Sequence, residues 1–220
     1  MSATTSTTPS YAGEFDGLRD NLRGMLPADA LASFDAAATA QGKTHTAGPK
    51  LSVGDTAPGF TLPDAEGNPV ALRDLLKQGK VILTFYRGAW CPYCNLQLNG
   101  YQRALPEFTA RGAQLVAISP QNAGSSAYIA SENKITFPVL SDVGSNVAEQ
   151  YTIVFKNDEG SVKAMADLGY DYDSFYDDDS RKLPVPAVFV IEQDGTVSFA
   201  KIQGGDYRER VEASDILAAL

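Results

Sequence analysis

The chain has 220 residues, 44% of them hydrophobic and 20% charged. That suits one globular domain with an appendage and excludes a wholly disordered chain. Its net charge of −9 disfavours a broad basic face for nucleic acid, and two cysteines are too few for a disulfide-rich secreted scaffold.

Residues 1–12 open with a Ser/Thr-rich run and are expected to be a disordered tail. Their stretch MSATTSTTPSYAGEF has no positive cluster followed by an apolar run, unlike a secretory signal. Residues 13–50 read as a helical segment and linker. Phe15, Leu18, Leu22, Met25 and Leu26 recur at helical spacing, Pro27 breaks the run, and a second helix from Leu31 closes at Gly42. This pair either packs on the main domain or joins two copies as a homodimer.

From Leu51 to Leu220 strands alternate with helices. Phe60-Thr61-Leu62 and Val70-Ala71-Leu72 flank a turn-rich stretch and predict a hairpin. A short helix follows over 73–78. Val81 to Tyr86 is a continuous apolar run, as in a strand buried on both faces, and is far short of the ~20 residues of a membrane span. A cytoplasmic protein with no membrane partner is therefore expected. Residues 92–110 predict a helix ending at Gly112, and Leu115–Ile118 the next buried strand. Helices over 125–134 and 143–150 enclose a short strand at 137–140. Between Tyr151 and Lys182 the pattern fails, as in a lid or binding loop. Val188–Ile191 and Val197–Ile202 predict an antiparallel hairpin across Gln193-Asp194-Gly195, and 209–220 a closing helix. The fold class is α/β, a sandwich around a central mixed sheet flanked by helices, with an N-terminal helical extension.

Cys91 and Cys94 form a single C-x-x-C where the Val81–Tyr86 strand runs through Arg87-Gly88-Ala89-Trp90 into a helix. Pro92 suits the first helical position because it has no N–H to lose. Cys91 then sits at the N-cap and Cys94 in the first turn on the same side. Free amides and the positive end of the helix dipole favour a thiolate there. With only two cysteines, a zinc ribbon or a four-cysteine cluster has no further ligands. The single histidine, His45, lies in a loop-like stretch and excludes two-histidine sites such as H-E-x-x-H. No metal or cofactor is implied, and redox chemistry of the dithiol is the expected activity.

Residues 51–220 resemble the thioredoxin superfamily, and within it the peroxiredoxin-like branch of the alkyl hydroperoxide reductase/thiol-specific antioxidant group. The resemblance lies in Val53-Gly54-Asp55-Thr56-Ala57-Pro58-Gly59-Phe60, in Phe85-Tyr86, in Val116-Ala117-Ile118-Ser119 and in Phe137-Pro138-Val139-Leu140-Ser141-Asp142. It implies a thioredoxin-like fold. The peroxiredoxin motif P-x-x-x-T/S-x-x-C places its peroxide-attacking cysteine on Cys94, its Thr on Cys91 and its Pro on Arg87. The family's distant activating Arg would stand at Pro186. Pro92-Tyr93 instead matches glutaredoxin, Trp90-Cys91 matches thioredoxin, and Val185-Pro186 corresponds to thioredoxin's cis-proline facing the dithiol.

The two templates disagree about the nucleophile. Thioredoxin logic makes Cys91 the attacker, and peroxiredoxin logic makes it Cys94. Arg87 either supports a thiolate or faces solvent at the strand end; Trp90 and Tyr93 are expected to shape the rim for a partner, with core packing as the alternative for Trp90. The implied functions are thiol-dependent reduction of hydroperoxides, thiol–disulfide exchange on protein or glutathione disulfides, or a redox-sensing interaction module. A thioredoxin or glutathione system is the reductant the resemblance implies.

Overall fold

The computed structural model describes Thr8 and residues 10–220. Of the tail expected at 1–12, positions 1–7 and 9 lie outside the described residues, and Tyr11 and Ala12 already belong to the first helix. Helix α1 spans Tyr11–Met25; the Ser10 hydroxyl accepts the Gly13 N–H at its start, Glu14 sits in its first turn and Arg23 in its last, in keeping with the helix dipole. Pro27 separates it from α2, Ala28–Thr44. That helix runs past Gly42 instead of closing on it. A Cβ at Gly42 would stand 3.2 Å from the Asp206 Cβ, so this glycine serves the close approach of the helix to the segment around Asp206.

The hairpin β1 (Thr61–Pro63) and β2 (Pro69–Ala71) leads into the short helix α3, Leu72–Leu76. Then come β3 (Lys80–Phe85), α4 (Pro92–Ala110), β4 (Ala113–Ser119), α5 (Ala123–Glu132) and β5 (Val139–Ser141). The chain closes with β8 (Ala187–Ile191), β9 (Val197–Ile202) and α8 (Ala213–Ala219). The central sheet has the order β5-β4-β3-β8-β9. Strands β3, β4 and β5 run parallel, while β8 and β9 pair antiparallel. This is the mixed α/β sheet expected from the alternation of elements.

Alternate residues of the apolar runs face opposite layers. Val81, Leu83 and Phe85 of β3 pack with Leu72, Leu75, Tyr151 and Phe189. Ile82 and Tyr86 pack on the other side with Leu98, Tyr101 and Phe108 of α4 and Ile216 of α8. Each such fully buried side chain contributes about 1.5–3 kcal/mol, so the strand-to-helix junction after Tyr86 is anchored on both sides. Phe15, Leu18 and Leu22 of α1 rest on the second layer.

Four expectations need correction. The stretch 151–182 is not one irregular loop. It holds β6 (Val154–Lys156), α7 (Glu159–Asp167) and β7 (Lys182–Pro184), with β6 and β7 paired antiparallel, and Met165, Tyr172, Tyr176 and Leu183 form a small core of their own. Residues 143–150 are not one helix: a 3-10 turn at Val143–Ser145 precedes α6, Ala148–Tyr151. The buried Asp142 carboxylate accepts the Val147 and Ala148 N–H groups and starts that helix late. The closing helix begins at Ala213 rather than 209, leaving Glu209–Glu212 irregular. Finally, no peptide bond among the described residues is cis, so Val185–Pro186 is trans. The Val185 N–H donates to the Ile153 carbonyl and the Thr152 hydroxyl donates to the Val185 carbonyl, which holds this approach to β8 extended.

Candidate active site

The strand-to-helix junction has the local structure that Pro92 predicts. Cys91 is the N-cap of α4, with φ −88° and ψ 112°, and Pro92 occupies the first turn. The Cys91 carbonyl accepts the N–H groups of Cys94 and Asn95 at 3.0 and 3.1 Å. The loop before it is tightly fixed. The Ala89 N–H donates to Gln121 Oε1 at 2.7 Å, and Asn95 Nδ2 donates to the Ala89 carbonyl at 2.6 Å. Gly88 is required here, because a Cβ would stand 2.5 Å from Trp90 Nε1. That indole donates to the Tyr176 hydroxyl at 2.8 Å.

Both cysteines are free thiols and both are buried, Cys91 at 1% exposure and Cys94 at 0%. Two arginines are buried with them. Arg210 Nη2 lies 3.4 Å from Cys94 Sγ and 3.9 Å from Cys91 Sγ. Its Nη1 donates to the carbonyls of Tyr207 and Glu209. Arg87 is 2% exposed, so it does not face solvent; its guanidinium carbon sits 3.8 Å from the Tyr207 ring centroid and 4.8 Å from that of Trp90. Such contacts attract a desolvated cation by up to about 2 kcal/mol.

These charges separate the two thiols. Burial by itself pushes Cys94 up, but a hydrogen bond from Cys91, the Arg210 charge, the Arg87 backbone N–H and the Arg87 charge together hold it well below the ordinary thiol value. Cys91 goes the other way. Burial, the hydrogen bond to Cys94 and repulsion from a Cys94 thiolate carry it well above. Charge and hydrogen bonding thus favour ionisation of Cys94 over Cys91.

Arg210 had no signal in the sequence. It lies in the irregular stretch ahead of α8, where neither strand nor helix period marks which side chains turn inward. Its approach is held from three sides. The buried Tyr101 hydroxyl of α4 donates to the Val211 carbonyl at 2.7 Å. The Glu212 carboxylate accepts the Tyr11 and Ala12 N–H groups, both at 2.8 Å, at the start of α1. The Tyr207 hydroxyl donates to the Phe34 carbonyl of α2 at 2.6 Å.

The N-terminal helices also close over the dithiol. Arg19 of α1 pairs through both terminal nitrogens with Asp35 of α2 at 2.8 and 2.6 Å and donates to the Tyr93 hydroxyl at 2.8 Å. Arg208 reaches the same carboxylate at 3.0 Å. A cavity of about 260 Å³ is lined by residues of the two helices, by Met165 and Leu168 at the end of α7, and by Arg87, Trp90, Cys91, Pro92 and Tyr93. Trp90 and Tyr93 thus belong to its wall. Val185 and Pro186 are buried but do not line it.

Among the described residues no helix is long and apolar enough to cross a membrane. The pattern of the AhpC/TSA family matches residues 53–200. The chain is 42% identical over 93 residues to a Mycobacterium tuberculosis protein provisionally named a peroxiredoxin, covering 42% of this chain and 59% of that one. It is 30% identical over 145 residues to the chloroplastic peroxiredoxin Q of Triticum aestivum, covering 66% of this chain and 64% of that one. The matches thus span 59% and 64% of the length of these curated relatives. The crystal structure of peroxidoxin BcpB from Mycobacterium tuberculosis matches with a TM-score of 0.60 and 26% identity, over 77% of this chain and 96% of that one. With two sulfurs at the head of α4 and the family's pattern running from before the hairpin into β9, the chain belongs to the AhpC/TSA family.

Proposed function

We propose that this protein reduces hydroperoxides through the Cys91/Cys94 pair, with Cys94 as the attacking sulfur. The observation that carries the reading is Arg210 Nη2 at 3.4 Å from Cys94 Sγ. It supplies a buried cation where the family's distant arginine is replaced by Pro186. Thioredoxin-type exchange wants the first cysteine of the pair as thiolate, and here the hydrogen bond between the sulfurs and the two arginine charges favour the second.

The Cys94 thiolate attacks the outer oxygen of the hydroperoxide. An S–O bond forms, the O–O bond breaks, and the alkoxide leaves as the alcohol after taking a proton. Cys94 is then a sulfenic acid. Cys91 Sγ attacks that sulfur, the S–S bond forms, and hydroxide leaves as water with the Cys91 proton. Arg210, in reach of both sulfurs, stabilises negative charge before and during each displacement. An external thiol returns the disulfide to the dithiol.

The test is single-turnover oxidation followed through the fluorescence of Trp90, the one tryptophan in the chain. Cys94→Ser is expected to give no peroxide consumption. Cys91→Ser is expected to consume one equivalent and hold a dimedone-reactive sulfenic acid on Cys94. Peroxide consumption by Cys94→Ser at the wild-type rate would overturn the assignment.

A further inference from the structure

The cavity under the N-terminal helices opens onto Cys91 and not onto Cys94. The distinction matters for the half of the cycle that restores the dithiol. In the oxidised pair, an entering thiol that attacks Cys91 expels Cys94 as the leaving thiolate, and a leaving group with the lower pKa departs faster. The cysteine that lines the cavity is therefore the one a reductant should attack.

The walls state what that reductant resembles. Leu22, Leu26, Leu31, Phe34, Met165 and Leu168 are apolar, and Arg87 is the single charged side chain of the lining. Its guanidinium is already stacked on Tyr207. Met25 and Tyr170, at 79% and 54% exposure, mark the mouth. Glutathione brings two carboxylates and an ammonium, which such walls would leave unpaired at a cost. A protein thiol needs an exposed disulfide, whereas Cys91 is 1% exposed.

We infer that this cavity admits the reductant, and that the reductant is a small dithiol carried on an aliphatic chain. The inference rests on the peroxidase reading above. One thiolate of the dithiol attacks Cys91 Sγ. The Cys91–Cys94 bond breaks, and its electron pair stays on Cys94 beside Arg210. The second thiol, already in place, attacks its neighbour's sulfur in the mixed disulfide; the Cys91–dithiol bond breaks, the product leaves as a cyclic disulfide and Cys91 takes up the proton that the second thiol gives up. Two electrons pass from the dithiol to the protein, and no other reagent is needed. A confined space that holds one molecule favours a dithiol over two successive monothiols, because the second step becomes intramolecular.

The experiment uses the full chain oxidised by diamide and follows re-reduction through Trp90. Dihydrolipoamide, dithiothreitol, glutathione and reduced thioredoxin are compared at equal thiolate concentration. Dihydrolipoamide is expected to outpace dithiothreitol by about tenfold or more, the effect of burying two or so methylenes. Leu31→Glu, and Met25→Glu at the exposed mouth, are expected to erase most of that ratio. Equal rates for the two dithiols, or a faster reaction with thioredoxin or glutathione, would overturn the inference. So would variants that keep the ratio but slow oxidation by an alkyl hydroperoxide, since the cavity would then hold the peroxide's tail. A reduced chain that peroxide fails to oxidise would remove the peroxidase reading alone, because diamide-oxidised protein still reports the preference among reductants.

Discussion

Arg210 and Cys94 stand 116 residues apart in the chain and 3.4 Å apart in space, guanidinium Nη2 to Sγ. Neither touches solvent to any extent, at 3% and 0% exposure. A buried cation needs an anion or a full set of acceptors, and a buried thiolate needs a cation. Each group accounts for the other, and the pairing favours ionisation of Cys94 over its neighbour.

Removing that cation should slow the first chemical step. Arg210→Met is expected to lower the rate of Cys94 oxidation at neutral pH by about 10- to 100-fold, from loss of thiolate and of charge stabilisation. Arg210→Lys should recover part of it, since the charge survives but the fork that joins the sulfurs to the Tyr207 and Glu209 carbonyls does not. Stopped-flow oxidation, with thiolate absorbance read on the same variants, checks this; an unchanged rate with an unchanged thiolate signal would disprove it.

The pH dependence follows from the direction of each shift. Cys94 is held below the ordinary thiol value, so oxidation should be level across neutral pH and fall as pH drops through that lowered value. The same group stabilises the reduced fold. Its contribution is fully present above the unfolded thiol's pKa, diminishes below it, and is lost as pH falls through the folded one. Cys91, pushed upward, remains a thiol through that window. A pH profile of oxidation and a denaturant series on the reduced protein measure the two effects.

Tyr101 holds the backbone next to Arg210 through its hydrogen bond to the Val211 carbonyl. Tyr101→Phe leaves that buried carbonyl without its phenolic donor and should cost about 1–3 kcal/mol of stability. As a positioning residue it should also raise the pH at which Cys94 titrates, which a purely structural loss would not do. Chemical denaturation and the thiolate titration separate the two.

Asp35 joins Arg19, Arg208 and, through Arg19, Tyr93. Asp35→Ala removes the carboxylate that Arg19 and Arg208 share, leaving Arg208 on Asp206, and should loosen the N-terminal helices from the 206–212 segment. Faster alkylation of Cys91 by a bulky maleimide, with faster amide exchange in α1 and α2, is the expected result. An alkylation rate equal to that of the unsubstituted chain would show that the helices do not limit access.

Gly88→Ala tests the junction itself. The new Cβ would meet the Trp90 indole nitrogen at 2.5 Å, so the ring must move and surrender its bond to Tyr176. A loss of about 1–3 kcal/mol is expected, together with a shifted Trp90 emission.

Local chemistry sufficed for much of this molecule. The apolar run 81–86 and the position of Pro92 determined a strand entering a helix with Cys91 at its cap, and helical spacing around Pro27 determined the two N-terminal helices. Those features depend on neighbours a few residues away, where period and capping operate. The nucleophile was not decided at that range, since both templates were compatible with the same four residues. The proposed choice rests on Arg210, on the burial of Arg87 against Tyr207 and on the closure of α1 and α2 over the cavity, all of which bring together residues distant in the chain. The segment 151–182 was illegible for the same reason: its strands are three residues long each, too short to show a period, and they exist because they pair with one another. The trans bond at Val185 likewise follows from hydrogen bonds to Ile153 and Thr152, more than thirty residues upstream. Sequence placed the sulfurs at a helix start; only long-range packing, which sets desolvation and charge together, separates them, holding Cys94 below and Cys91 above the ordinary thiol value.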